Sequence, residues 1–215
     1  MHNFKMISTM KQTKNFIISL LIALPLFLSA QQAVNIGDIL CTDGSTVSIN
    51  EFASSGKTAL GVVFYVDDSE QHGWAVHLEY QGKTPWCYQY IDVPELTNIR
   101  KFRDAIKDTD GYNNTKIIRN YSNASVFPAA WAVDFDNGWY LPAAGQIRQL
   151  YGYIPEINQS LNTVSGEPFI LSSNWWIWAS TECDSEGAWD INYLGSEGHS
   201  KKVSHDFYVR AVRTF

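Results

Sequence analysis

"TALGVVFYVD", residues 58–67, is an almost unbroken run of apolar and aromatic residues rich in valine. A strand buried on both faces loses the alternation of a surface strand, so this run reads as the central strand of a sheet. After a polar turn at residues 67–73, "WAVHLEY" (74–80) alternates apolar and polar positions and is expected to pair with it. Upstream, "ILCTDGSTVSI" (39–49) sets Asp43-Gly44 between two short apolar stretches, the signature of a tight hairpin. These segments predict a small antiparallel sheet.

Further along, the apolar period lengthens. Leu96, Ile99, Phe102 and Ile106 recur at three- and four-residue steps, with Arg100, Lys101, Arg103 and Lys107 between them, which predicts an amphipathic helix ended by Asp110-Gly111. An asparagine-rich connection through Asn123 leads to a short helix expected at 129–133. "AAGQIRQLYGYI" (143–154) and "PEINQSLNTV" (155–164) predict two more, Gly152 breaking the first and Pro155 opening the second. From Phe169 strand patterns return in "NWWIWAS" (174–180), "AWDINYL" (188–194) and "FYVRAVRTF" (207–215), with "GSEG" (195–198) as a hairpin turn. In the second of these, Trp189, Ile191 and Tyr193 share one face, expected to be core, and Ala188, Asp190 and Asn192 share the other, expected to be accessible. No repeat or linker interrupts residues 31–215, which are expected to form one domain. Strands, then helices, then strands point to an α+β fold of mixed antiparallel strands with a few short helices, its N- and C-terminal strands sharing a sheet.

Residues 1–30 read differently. Lys5, Lys11 and Lys14 precede an apolar run at 16–30 that ends in small residues, the pattern of a secretory signal peptide cleaved near Ala30. The run is shorter than the roughly 20 residues a membrane-spanning helix needs, so no transmembrane segment is expected after cleavage. The first cysteine, Cys41, lies well past that point, which disfavours lipid attachment. Without the three lysines the chain carries 13 Lys and Arg against 22 Asp and Glu, a formal charge of −9. An acidic chain with no basic cluster beyond Lys201-Lys202 is not expected to bind nucleic acid. Cys41, Cys87 and Cys183 form no CxxC pair; they are expected to be small buried residues or to include one disulfide.

Four of the eight tryptophans fall in "SSNWWIWASTECDSEGAWDINY" (172–193). On a strand Trp176 and Trp178 share a face and Trp175 points the other way. Trp176, Trp178 and Trp189 are expected in the core, where aromatic rings bury large areas. Trp175 is expected to offer a ring among amide and carboxylate groups, with Asn174, Asp184, Glu186, Asp190 and Asn192 as the ligand-binding set. That combination holds a sugar by stacking and hydrogen bonds, or a protein by an aromatic anchor with a polar rim.

"GVVFYVD", "HGWAV", "GWYLPAAGQIRQLY", "WASTE", "AWDINYLGSEG" and "VRAVRTF" follow one another in this chain. In order and spacing they resemble a bacterial C-type-lectin-fold domain of the kind found at the C-terminus of collagen-like adhesins, distantly related in fold to formylglycine-generating enzymes. The resemblance covers residues 59–215. It implies a C-type-lectin-like fold whose last strands and loops face a ligand, and a role in adhesion. In relatives from diversity-generating systems the segment matching 174–207 varies. One departure is Ala143, where family members often carry a serine that caps the next helix, a loss of about 1 kcal/mol.

The resemblance also raises an oxidoreductase, because formylglycine-generating enzymes use a cysteine pair. Here Cys183 would need Cys87 facing the same cleft, and its acidic neighbours raise a thiol pKa rather than lower it. The histidine pairs His72/His77 and His199/His205 lack helical zinc spacing, and no hydrolase triad or nucleophile elbow is present. "DTDG" (108–111) and "DFDNG" (134–138) concentrate oxygen ligands that calcium favours, yet the same composition makes tight turns. The expectation is therefore a secreted, non-enzymatic adhesion module in the periplasm or on the surface of a Gram-negative bacterium. It would bind a glycan or a surface protein, with no catalytic residue and no required cofactor. The alternatives are a structural or assembly subunit of a surface appendage, and the oxidoreductase.

Overall fold

The computed structural model describes residues 33–194 and 197–215. The expected signal peptide and residues 195 and 196 of the expected "GSEG" turn lie outside the described residues. Ile39–Cys41 (β1) and Thr46–Val47 (β2) form the anticipated hairpin. Its turn holds Gly44 at φ 83°, a backbone conformation that glycine adopts without a side-chain clash. After helix α1 (Ile49–Ser55) the chain enters Ala59–Val66 (β3), whose four middle residues are buried. Gly73–His77 (β4) pairs with it antiparallel. The chain's last strand, Val212–Thr214 (β10), adds to the far side of β4, so both ends of the described chain share this first sheet, in the order β10-β4-β3-β1-β2.

A second five-stranded sheet has the order β5-β9-β6-β7-β8. Its strands are Lys83–Thr84 (β5), Trp176–Glu182 (β6), Gly187–Asn192 (β7), Glu197–Lys201 (β8) and Phe207–Tyr208 (β9). All neighbours run antiparallel except β6 and β9, which join in parallel at Ile177 and Tyr208. "FYVRAVRTF" was expected as one strand, and it divides between the two sheets. The reason is a change of hydrogen-bond partner: the Val209 amide donates to Gly82, while the Ala211 carbonyl accepts from His77 in β4.

The helices correct two expectations. The amphipathic helix expected from Leu96 to Ile106 survives only as one turn, Phe102–Ala105 (α2). The Ile99 amide donates to Glu182 of β6 at 3.0 Å and its carbonyl accepts the Trp189 indole of β7 at 2.6 Å, so the backbone there is committed to the sheet. In place of the expected asparagine-rich connection stands Gly111–Tyr121 (α3), burying Gly111, Thr115 and Ile118. Asp110 thus opens a helix instead of closing one, its carboxylate accepting the Asn113 amide. Pro128–Trp131 (α4), Ala144–Tyr151 (α5) and Ile154–Thr163 (α6) form as expected. The serine missing at Ala143 is compensated by neighbours: Gln146 Oε1 accepts the Ala143 amide, and Thr181 Oγ1 and the Asp108 carbonyl accept the next two amides.

One core cluster packs Val62, Phe64 and Val76 of the first sheet with Ile147, Leu150, Ile157 and Leu161 of α5 and α6, and reaches Ile177, Trp189 and Ile191 of the second sheet. The other gathers Trp86, Phe127, Trp139, Leu141, Trp178, Ala188 and Val209. The second sheet is therefore covered on both faces. The architecture is mixed α+β with largely antiparallel sheets and short helices. Among the described residues no helix is long and apolar enough to cross a membrane.

Candidate ligand-binding surface

The six residues expected to form one site are spread along the β6–β7 hairpin, whose length is on the order of 20 Å. Asn174, Trp175 and Asn192 lie at its open end, Asp184 and Glu186 at its turn, and Asp190 between them. The expectation that the Asp190 and Asn192 face is accessible is corrected, since each residue is only 1% exposed. That face packs into the Trp178 cluster and is closed laterally by β8. A Cβ on Gly198 of β8 would stand 2.4 Å from Asp190 Oδ2, so the missing side chain is what lets β8 lie against the carboxyl. Asn192 Nδ2 donates to the Ser173 carbonyl at 2.9 Å and pins the turn that carries Trp175. Asp184 Oδ1 accepts the amides of Glu186 and Gly187, a turn-forming role, while Glu186 is exposed.

Trp175 has different companions from those expected. Its indole stacks on Tyr208 with centroids 3.8 Å apart and planes 15° from parallel. Its Nε1 donates to the Tyr80 hydroxyl at 3.0 Å. The Lys83 ammonium of β5 lies 4.2 Å from the Tyr208 centroid and 5.7 Å from that of Trp175. Trp175, Tyr208 and Tyr80 are half-buried and Lys83 is exposed, so the stack forms a ledge at the β5 edge of the second sheet. Ile170, Leu171 and Leu194, each exposed, belong to the segments that meet at this end of the hairpin.

Beneath the ledge lies Arg210, 1% exposed, its guanidinium 4.4 Å from the Tyr80 ring centroid and 4.7 Å from that of Phe169. Nη2 donates to the carbonyls of Leu78 and Glu167, while Nε and Nη1 have no hydrogen-bond partner among the described residues. Burial lowers its pKa to about 10 and pushes the Tyr80 phenol well above its ordinary value. Arg210 fixes the Tyr80 ring against which Trp175 rests. Tyr80, Lys83, Tyr208 and Arg210 went unnoticed in sequence because their meeting depends on the parallel β6–β9 pairing, which no local pattern announces. On the opposite side of the same strands Trp176, Phe207 and His205 form a second aromatic row.

The aspartate loops considered for calcium are engaged internally. Asp108 Oδ2 accepts from Thr181 Oγ1 at 2.7 Å and Asn114 Nδ2 at 2.9 Å, and Asp134 accepts from Asn137 in a tight turn closed by Gly138. Cys41, Cys87 and Cys183 are free and buried, and burial raises each thiol pKa.

Neither a family model nor a curated protein matches this sequence. Among solved structures, the chain is similar to a fimbrial protein from Bacteroides ovatus ATCC 8483, with a TM-score of 0.66 and 19% identity. The likeness is one of fold. It covers 85% of this chain and 49% of the other, so this chain spans about half the length of that protein.

Proposed function

We propose that the chain is a secreted, non-enzymatic adhesion module of a Gram-negative bacterial surface, built on a C-type-lectin-like fold. It recognises a glycan or protein through the ledge of Trp175, Tyr208 and Lys83. The observation that carries this reading is the half-exposed Trp175–Tyr208 stack, held from below by Tyr80 and a buried Arg210. A ring pair held rigid before the ligand arrives loses little conformational freedom on binding. The fold shared with a fimbrial protein supports a place at the bacterial surface. It also supports the second reading, a structural or assembly subunit of an appendage, for which exposed Ile170, Leu171 and Leu194 offer apolar contact area.

Purified protein screened against glycans and surface proteins, with calcium and with chelator, tests the first reading. Saturable binding is expected, weakened at least tenfold in Trp175→Ala and in Tyr208→Ala, with the melting temperature followed alongside. Sensitivity to chelator would bring the aspartate loops into the site. Unaltered binding in both variants would remove the ledge from recognition, and concentration-dependent self-association in light scattering would then favour the assembly subunit.

A further inference from the structure

At the turn end of the β6–β7 hairpin, away from the Trp175 ledge, Arg100, Lys101, Phe102, Arg103, Trp189 and His199 line an open groove of about 660 Å³. Three of its six lining residues are cations on a chain whose net charge is −6. The arginine side chains are 73% and 76% exposed. Each has one acidic neighbour beyond hydrogen-bond distance: Asp184 at 3.8 Å from Arg100 Nε, and Asp104 at 3.9 Å from Arg103 Nε. In each carboxylate Oδ1 is engaged elsewhere, in Asp184 by backbone amides and in Asp104 by Lys107 at 2.9 Å, and Oδ2 faces the arginine at long ion-pair distance. Each carboxylate faces only Nε, so among the described residues the Nη pair of each guanidinium is left for the two-point pairing that carboxylates and sulfates accept.

The floor is aromatic. Phe102 and Trp189 lie 5.8 Å apart between centroids, and His199 stands edge-on to Trp189 at 5.5 Å. Among the described residues no aliphatic side chain lines the groove, in contrast to Ile170, Leu171 and Leu194 near the ledge. The groove's described lining lacks the aliphatic anchors that hold a peptide's apolar side chains, while its three cations match a polar chain carrying acid groups. The half-buried Phe102 ring and the exposed His199 ring can meet the C–H face of a sugar, with Trp189, 2% exposed, backing them from the core, and acid groups turn toward the solvent-projecting arginines.

We propose that this groove binds an anionic saccharide chain, carboxylated or sulfated, as a site separate from the Trp175 ledge and independent of the reading given for it. The test is titration calorimetry of the purified protein with an oligogalacturonate, a sulfated hexasaccharide, neutral maltohexaose and a polyglutamate peptide. Binding of at least one acidic saccharide is expected, with none for the neutral one, and weakening as salt is raised. The double variant Arg100→Glu/Arg103→Glu is expected to lose binding at least tenfold while keeping its melting temperature, because both side chains project into solvent. Trp175→Ala is expected to bind within twofold of the parent, which separates this site from the ledge. Polyglutamate bound as tightly as the saccharides, no acidic saccharide bound at all, or saccharide binding that survives the double charge reversal would each overturn the proposal.

Discussion

Replacing Lys202 with methionine is expected to destabilise the protein by about 3–5 kcal/mol at neutral pH, the range found when a buried ion pair loses one partner. Lys202 and Glu182 form an ion pair whose side chains are both 0% exposed. The ammonium also donates to the Ile91 carbonyl at 2.6 Å and stands 4.8 Å from the Trp86 ring centroid. Glu182 in turn accepts the Val93 amide. The pair fastens the 86–93 segment to the end of β6 and to the residue after β8. Burial pushes the Glu182 carboxyl above its ordinary value, while the ammonium and the amide pull it down. Without Lys202 the carboxyl keeps its desolvation and loses its counterion. The deficit is therefore expected to shrink as pH falls and Glu182 takes up a proton, and to be partly restored by adding Glu182→Gln. Urea denaturation of parent, single and double variants at pH 5 and pH 7.5 measures both effects. A single variant within 1 kcal/mol of the parent at both pH values would show that the pair carries no stability.

Sequence made the strands legible where one residue type pattern had one meaning. The apolar run of β3 and the Asp43-Gly44 hairpin follow from local chemistry alone, and so do the helices flanking Gly152 and Pro155. Tertiary hydrogen bonds decided the rest. Leu96, Ile99, Phe102 and Ile106 have helical spacing, yet Ile99 gives both its backbone groups to the second sheet. In α3 the buried positions Gly111, Thr115 and Ile118 are small or isolated, so its asparagines read as a loop; Asp110 followed by a buried i, i+4, i+7 series was the available signal. Lys202 read only as half of the Lys201-Lys202 basic pair, but it lies one residue beyond β8 and turns inward to Glu182.

The candidate site was partly visible for the same reason. Trp175 was singled out because strand alternation separates it from Trp176; in the structure both are half-buried, so the expectation that Trp176 lies in the core with Trp178 and Trp189 is corrected. The polar partners assigned to Trp175 came from sequence neighbourhood, and a hairpin carries such neighbours to opposite ends. Its actual partners, Tyr80, Lys83 and Tyr208, lie on strands far away in sequence. The ledge and the basic groove thus hang on two ends of one hairpin. The Lys202–Glu182 pair anchors the turn end and Asn192 the open end, so loosening the pair is expected to disturb the groove before the ledge.

Asp190→Asn is expected to make the protein more stable than the parent at pH 8, by about 2 kcal/mol, and to remove that advantage near pH 4. The Asp190 carboxyl is buried, with Oδ2 accepting from Ser200 Oγ at 3.2 Å and Oδ1 without a partner among the described residues. Burial raises its pKa from 3.8 to about 7. In the unfolded chain the same group ionises near pH 3.9. Between roughly pH 4 and pH 7 the folded state therefore holds a proton that the unfolded state has released, and stability falls as pH rises through this window. Above it the loss levels off at roughly 4 kcal/mol, the equivalent of about three pKa units. Asparagine stays neutral throughout and avoids this loss, but its amide buries donors of its own, which cost about 1–3 kcal/mol where unmatched. The net gain at pH 8 is accordingly about half the ionisation term. Near pH 4 the parent carboxyl is protonated and donates or accepts as needed, so the variant holds no advantage there. Urea denaturation of both proteins at pH 4.5, 6 and 8 isolates the residue, because every other titrating group is common to the two curves. Parallel pH profiles would show that Asp190 ionises in the folded state as it does in the unfolded chain, and that its unpartnered oxygen finds water.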